Sequence, residues 1–138
     1  MRLNNFLSLL AAVTMTVALS MGCQKDKDPD RLAFLGSYTV IEACSITGNH
    51  EYQMIITEST TEENDIVINN FGDFNNGTAR ATVSGKGLTI PAQTINIAGT
   101  AVNIANGTGS LNGNLLTISY TYSIGADSES CSMTCTKL

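Results

Sequence analysis

The chain has 138 residues and a formal net charge of −5, from 7 Lys plus Arg against 12 Asp plus Glu. That length fits one compact domain and argues against a multidomain enzyme, and the acidic balance argues against nucleic acid, whose binders carry clustered Lys and Arg. An apolar fraction of 43% excludes wholesale disorder.

Arg2 is the only charge among the first 22 residues, and an apolar run follows from Phe6 to Leu19. The run falls short of the roughly 20 apolar residues that span a bilayer, and a basic start, an apolar centre and a small-residue exit read as a secretory signal over 1–22. The exit, Leu19-Ser20-Met21-Gly22-Cys23, resembles a bacterial lipoprotein lipobox. The resemblance implies cleavage before Cys23 and lipid on its thiol, with Met21 a departure of the kind found in Bacteroidota. Three acyl chains, at about 0.8 kcal/mol per buried methylene, make a durable anchor. Cleavage there removes Arg2 and no acid, leaving 116 of the 138 residues and a charge of −6. Gln24-Lys25-Asp26-Lys27-Asp28-Pro29-Asp30 has alternating charge and a proline, so residues 23–31 read as a lipidated cysteine and a solvated tether. Its Lys/Asp cluster resembles the export signal of Bacteroidota surface lipoproteins, and Gln24 is not the Asp that retains lipoproteins at an inner membrane. The expected location is therefore the outer membrane, lipid-anchored, on the periplasmic leaflet or the cell surface.

From Leu32 onward short strands follow one another. Asp30–Leu35 has room for one helical turn, and alternation predicts strands over Ser37–Ile46, Glu51–Glu58, Asp65–Asn69, Thr78–Ser84, Leu88–Ile90 and Thr94–Ala98. Asn112-Gly113 is a tight-turn signal, because both central residues of a type I′ turn need positive φ. It joins 101–111 to Leu115–Ile124, where Leu116, Ile118, Tyr120, Tyr122 and Ile124 share one face. Cys131–Lys137 closes the chain. About nine strands with hairpin-length links predict an all-β antiparallel meander over 32–138, closed into a barrel because an open meander leaves two edges, with a β-sandwich as the alternative.

Gly36-Ser37-Tyr38-Thr39-Val40 resembles the start of a lipocalin-type barrel, with Tyr38 in place of the usual Trp. Across 32–138, Phe34-Leu35-Gly36-x-Tyr38, Cys44, Asn70-Phe71, Ile90-x-x-Gln93, Gly107-Thr108-Gly109 and the terminal Cys-to-Lys137 stretch are similar to small Bacteroidota lipoproteins. That resemblance implies a compartment and a calycin-like fold, not an activity.

With Cys23 lipidated, Cys44, Cys131 and Cys135 remain. If the first and last strands are antiparallel neighbours, Cys44 faces Cys131 and Cys135 lies near Val40, so the expected disulfide is Cys44–Cys131 with Cys135 a free thiol. Cys-x-x-x-Cys in a strand lacks the helix-start setting of a redox motif, and one His with three thiols lacks zinc-ligand spacing. His50 reads as an exposed turn residue between two strands, without the nucleophile elbow of a hydrolase. Glu58, Glu62, Glu63 and Asp65 read as a solvated acidic face, and the Asn and Asp residues lack EF-hand spacing. The Asn-Gly-Thr triplets at Asn76 and Asn106 read as turn chemistry.

Phe71 and Phe74 stand among Asn and Gly in residues 69–77, placed either to stack on a ligand at a barrel mouth or to plug it. With Tyr120 and Tyr122 they form the candidate ligand contacts. The expected function is a membrane-anchored envelope lipoprotein with a non-enzymatic binding or structural role toward a small molecule, glycan or partner protein, needing no cofactor or metal and not engaging nucleic acid. A lipocalin-like protease inhibitor or other outer-membrane accessory is the alternative, and a hydrolase comes third. An open apolar cavity would favour a small ligand, and convergent carboxylates in a cleft would favour an enzyme.

Overall fold

The computed structural model describes residues 29–138. The expected signal, the lipobox-like stretch and Cys23 lie outside the described residues. Nine strands follow in chain order: β1 (Gly36–Cys44), β2 (Gly48–Glu58), β3 (Asp65–Asn69), β4 (Thr78–Ser84), β5 (Gly87–Ile90), β6 (Gln93–Ile97), β7 (Thr100–Asn112), β8 (Leu115–Ile124) and β9 (Asp127–Lys137). All pairings are antiparallel. The meander closes twice, where β1 lies beside β9 and where β5 lies beside β7. The result is a closed eight-stranded barrel with one extra strand.

That extra strand is β6, and it departs from a simple meander. The first part of β7 pairs with β6 from Thr100 to Ile104, and the second part pairs with β5 from Gly107 to Ser110. A register shift between Ile104 and Asn106 separates the two parts, the bend a bulge gives a strand that changes partner. The amide of Gln93 spans the remaining gap to β4. Its Nε2 donates to Arg80 O at 2.8 Å and its Oε1 accepts from Arg80 N at 2.8 Å.

Alternation puts one side of every strand inside. Tyr38, Val40, Met54, Ile56, Ile66, Ile68, Ile90, Leu116, Ile118, Met133 and Cys135 are all buried within the barrel. Two inward positions on β7 are glycines because the space is already taken. A Cβ on Gly109 would lie 2.8 Å from the Thr117 carbonyl oxygen and 3.0 Å from Leu88, and one on Gly107 would lie 3.0 Å from Tyr120 Cβ. The interior is occupied by these buried side chains.

One end is closed by a 3₁₀ turn, Asp30–Phe34. Phe34 is fully buried, and its carbonyl accepts the Tyr38 hydroxyl at 2.8 Å. Here the sequence expectation needs correction, because the tether does not extend to residue 31. Asp30 Oδ2 accepts the Gly85 N–H at 2.9 Å, while Arg31 donates to Glu62 O at 3.0 Å and Glu58 Oε2 at 3.2 Å. Burying Phe34 fixes these two residues against the barrel. The same contacts engage part of the acidic stretch 58–65, and Asp65 is no solvated acid. It is buried, accepting Thr82 Oγ1 at 2.7 Å with Arg80 Nε 3.7 Å away.

Candidate functional site at the barrel mouth

The opposite end carries the chemistry. The ends of β1, β3, β5 and β8 and the starts of β2, β4 and β9 meet there. Cys44 and Cys131 are register partners on β1 and β9, with Cα atoms 4.1 Å apart, and form a disulfide. Cys135 lies four residues further along β9, opposite Val40, as a buried free thiol whose burial pushes its pKa up to about 12. The two bonded sulfurs lie within 4.8 Å of the Glu42 carboxylate. Spent on each other, they are not the thiolates that zinc needs.

Phe71 and Phe74 occupy a loop that Asn and Gly make possible. Asn70, Gly72, Asp73, Asn75 and Asn76 all have positive φ, a region these residue types tolerate best. Asn70 Nδ2 donates to Gln53 O at 2.8 Å, the Phe71 N–H to Gly77 O at 3.0 Å and the Gly77 N–H to Phe74 O at 2.7 Å, pinning the loop over the barrel. Gly72 is packed so closely under the Phe74 ring and the Tyr120 hydroxyl that no side chain fits.

The loop resolves the two roles expected of its aromatics. Phe71 is fully buried, with its ring 4.6 Å from Tyr120, in the plugging position, one of the two expected of it. Phe74 stays partly exposed, edge-on to Tyr122 at 5.0 Å, and Tyr120 and Tyr122 stack at 5.9 Å. A recess of about 210 Å³ remains beside these rings, lined by Glu42, Cys44, Thr47, His50, Gly72, Asp73, Phe74, Tyr120 and Tyr122. A second cleft of about 450 Å³ shares Thr47 and Tyr122 with it and adds Ile46, Ile124, Asp127, Ser128 and Glu129. Ile46 is 71% exposed and Ile124 39% exposed, giving the cleft apolar walls. Ile124 thus lies beyond the rim, not in the core with Leu116.

Two acids at this end were not singled out in the sequence, and they differ in kind. Glu129 is saturated: Oε2 accepts the Tyr122 hydroxyl at 2.6 Å, and Oε1 accepts the Ile46 and Thr47 N–H groups at 2.7 and 2.6 Å. Burial disfavours its charge, but these donors together outweigh burial and hold its pKa at about 2. Glu42, 1% exposed, takes one strong hydrogen bond, from the Tyr120 hydroxyl to Oε1 at 2.7 Å. Burial raises its pKa above the ordinary carboxylate value, partly offset by that bond and by the charge of His50. The Tyr52 hydroxyl approaches Glu42 and Gly72, yet it is buried without a bond of good geometry. Desolvation first, and then the Glu42 charge, raise the pKa values of Tyr52 and Tyr120 well above that of free tyrosine.

His50 also moves from its expected place. The hairpin turn is Ser45–Thr47, ended by Gly48 at φ +85°, so β2 begins earlier and His50 sits within it, opposite Glu42. A larger depression of about 480 Å³ lies on the outer wall, among Ala43, Asn106, Thr108, Ser119, Ser130 and Ser132. Its lining, which also includes Gly107, Tyr120, Thr121 and Cys131, carries no charged side chain, so the mouth is the stronger site.

No family model matches the chain, and no curated protein matches it. Solved structures do. The fluorescence-activating barrel EF1p2_mFAP2b, determined bound to DFHBI, superposes with a TM-score of 0.57 at 14% identity, covering 80% of this chain and 98% of that one. A candidate outer membrane protein of Bacteroides fragilis NCTC 9343 superposes with a TM-score of 0.55 at 14% identity, covering 80% of this chain and 54% of that one. At such identity the likeness is one of fold. The chain shares a barrel architecture with a protein that holds a small dye.

Proposed function

We propose that this protein is a lipid-anchored outer-membrane lipoprotein that binds a small molecule at its barrel mouth and does no chemistry on it. The observation that carries the reading is the contrast between the two halves of the molecule. The barrel interior is lined by buried apolar side chains, whereas two adjoining recesses at the mouth combine a buried carboxylate, three aromatic rings and apolar walls. Such a convergence of apolar surface with a few placed polar groups is what small-ligand sites use. The resemblance of Leu19–Cys23 to a lipobox and the likeness to a Bacteroides barrel support the envelope location. Glu129, in the adjoining cleft, has both oxygens engaged by donors of the protein itself, which favours a structural role for that acid over proton transfer.

The test is a fragment screen on the isotope-labelled full chain in detergent micelles, read by methyl resonances of Ile46 and Ile124. The expected result is that binding fragments shift these methyls and that Phe74→Ala abolishes the shifts, while Cys23→Ser frees the chain from the membrane fraction. Fragment shifts confined to the outer wall would overturn the mouth as the site.

A further inference from the structure

The geometry points to an organic ammonium ion as the ligand class: its charged nitrogen sits against Glu42 among Phe74, Tyr120 and Tyr122, and its apolar part lies in the Ile46–Ile124 cleft. This rests on the mouth being the binding site and adds the charge of what binds.

The first argument is the bonding of Glu42. A buried carboxylate is costly unless paired or well hydrogen-bonded. Glu42 has one strong donor, a neutral phenol, where the neighbouring Glu129 has four donor contacts. His50 is the only base lining the recess, and it is exposed. The second argument is that what lies behind Glu42 is neutral: the buried Tyr52 hydroxyl, beside Glu42 and Gly72 and not among the residues lining the recess, brings no positive charge.

The third argument is the charge distribution. Among the described residues the Lys and Arg side chains are Arg31, Arg80, Lys86 and Lys137. Arg31 and Lys137 are tied to the closed end, through Glu58 and the Ala33 carbonyl. Lys86 sits in the β4–β5 turn beside the end of β7, and Arg80 lies on the outer wall. None lines either recess, whereas Glu42, Asp73, Asp127 and Glu129 do. An anion entering there meets four acids against one imidazole, that of His50. A cation meets acids and the aromatic side chains of Phe74, Tyr120 and Tyr122, of which the partly exposed Phe74 ring is open to cation–π attraction.

An inorganic cation fits less well. Among the described residues, the set of three close potential metal ligands joins Glu42 to the two disulfide sulfurs, so neither Asp73 nor His50 completes a chelate with Glu42. One carboxylate with aromatic walls suits a single organic charge. The apolar cleft that shares Tyr122 and Thr47 with the recess gives that charge an apolar neighbour.

The experiment titrates the full chain in micelles with three probes of one skeleton: 4-phenylbutylammonium, 4-phenylbutanol and 4-phenylbutyrate. The ammonium is expected to bind at least tenfold more tightly than the alcohol, with no binding by the carboxylate. Glu42→Gln, which keeps an oxygen for Tyr120, is expected to erase that preference. Asp73→Asn, an exposed change that does not threaten folding, is expected to weaken the ammonium two- to threefold and spare the alcohol. Equal binding of ammonium and alcohol would overturn the cation assignment while leaving the mouth as the site. Failure of all three to bind would overturn both, and preference for the carboxylate would reverse the sign of the site.

Discussion

Glu42 and Glu129 lie at the same end of one barrel, both buried, and their surroundings push them in opposite directions. Glu129 has its pKa lowered to about 2 by donors from Tyr122, Thr47 and Ile46 that outweigh burial. A carboxyl depressed in the folded state stabilises it above the unfolded pKa, near 4.5, and loses that contribution as pH falls toward 2. Glu42 has its pKa raised, chiefly by burial. The folded state then binds the extra proton, so Glu42 costs stability progressively as pH rises above about 4.5. Glu129→Gln is therefore expected to destabilise at pH 7 and to approach wild type near pH 2. Glu42→Gln is expected to match wild type near pH 4 and to be the more stable protein at pH 8. Urea denaturation across pH 2–8 reads both curves, and a Glu42→Gln protein that loses stability at pH 8 would show the carboxylate to be structurally required.

Both acids were legible in principle. Glu42 falls in the inward register of Tyr38 and Val40, and Glu129 in that of Cys131, Met133 and Cys135. An acid on the buried side of an alternating strand is the signal that marks them, whereas a search for paired carboxylates or motif spacing passes over it. His50 was misplaced for a different reason. Strand propensity says little about where a hairpin turns, and Gly48 shortened the turn so that His50 joined β2.

At the scale of elements, the alternation was strong enough to predict most of the strands, and Asn112-Gly113 located the β7–β8 hairpin. What alternation could not give was the branching of β7 between β5 and β6, because a change of partner depends on a bulge and on the Gln93 side chain. The Asn/Gly-rich loop over 69–77 shows the same limit. Its composition announces left-handed backbone, but only packing decides which ring goes inside. Gly72 and Gly113 separate the two effects, since both have φ near +60° (64° and 61°) while only Gly72 is crowded. Gly113→Ala is expected to cost on the order of 1 kcal/mol from left-handed backbone alone. Gly72→Ala adds overpacking of about 1–3 kcal/mol against Phe74 and Tyr120. Denaturant midpoints measure the difference. Equal losses would mean that the loop yields freely, and with it the Phe74 wall of the site.

For the whole molecule, closure is the decisive property, and one bond covers it. β1 and β9 pair over seven register positions from Tyr38–Lys137 to Cys44–Cys131, so the first and last strands are held together by backbone bonds before the disulfide is counted. The disulfide joins residues separated by 87 positions. Restricting so long a loop in the unfolded chain stabilises the fold by about 4–5 kcal/mol in the chain-entropy model, an upper guide. Cys44→Ala with Cys131→Ala, leaving Cys135 buried, is expected to keep the barrel spectrum and the mouth methyl shifts while lowering the guanidinium midpoint. It is also expected to raise the denaturant slope, because an uncrosslinked unfolded chain exposes more surface. The opposite outcome, a lost fold, would show that the seven backbone pairs cannot close the barrel by themselves. A loss below about 1 kcal/mol would instead place closure in strand pairing and in the β5–β7 seam, with the disulfide fixing chiefly the wall of the recess that Cys44 lines.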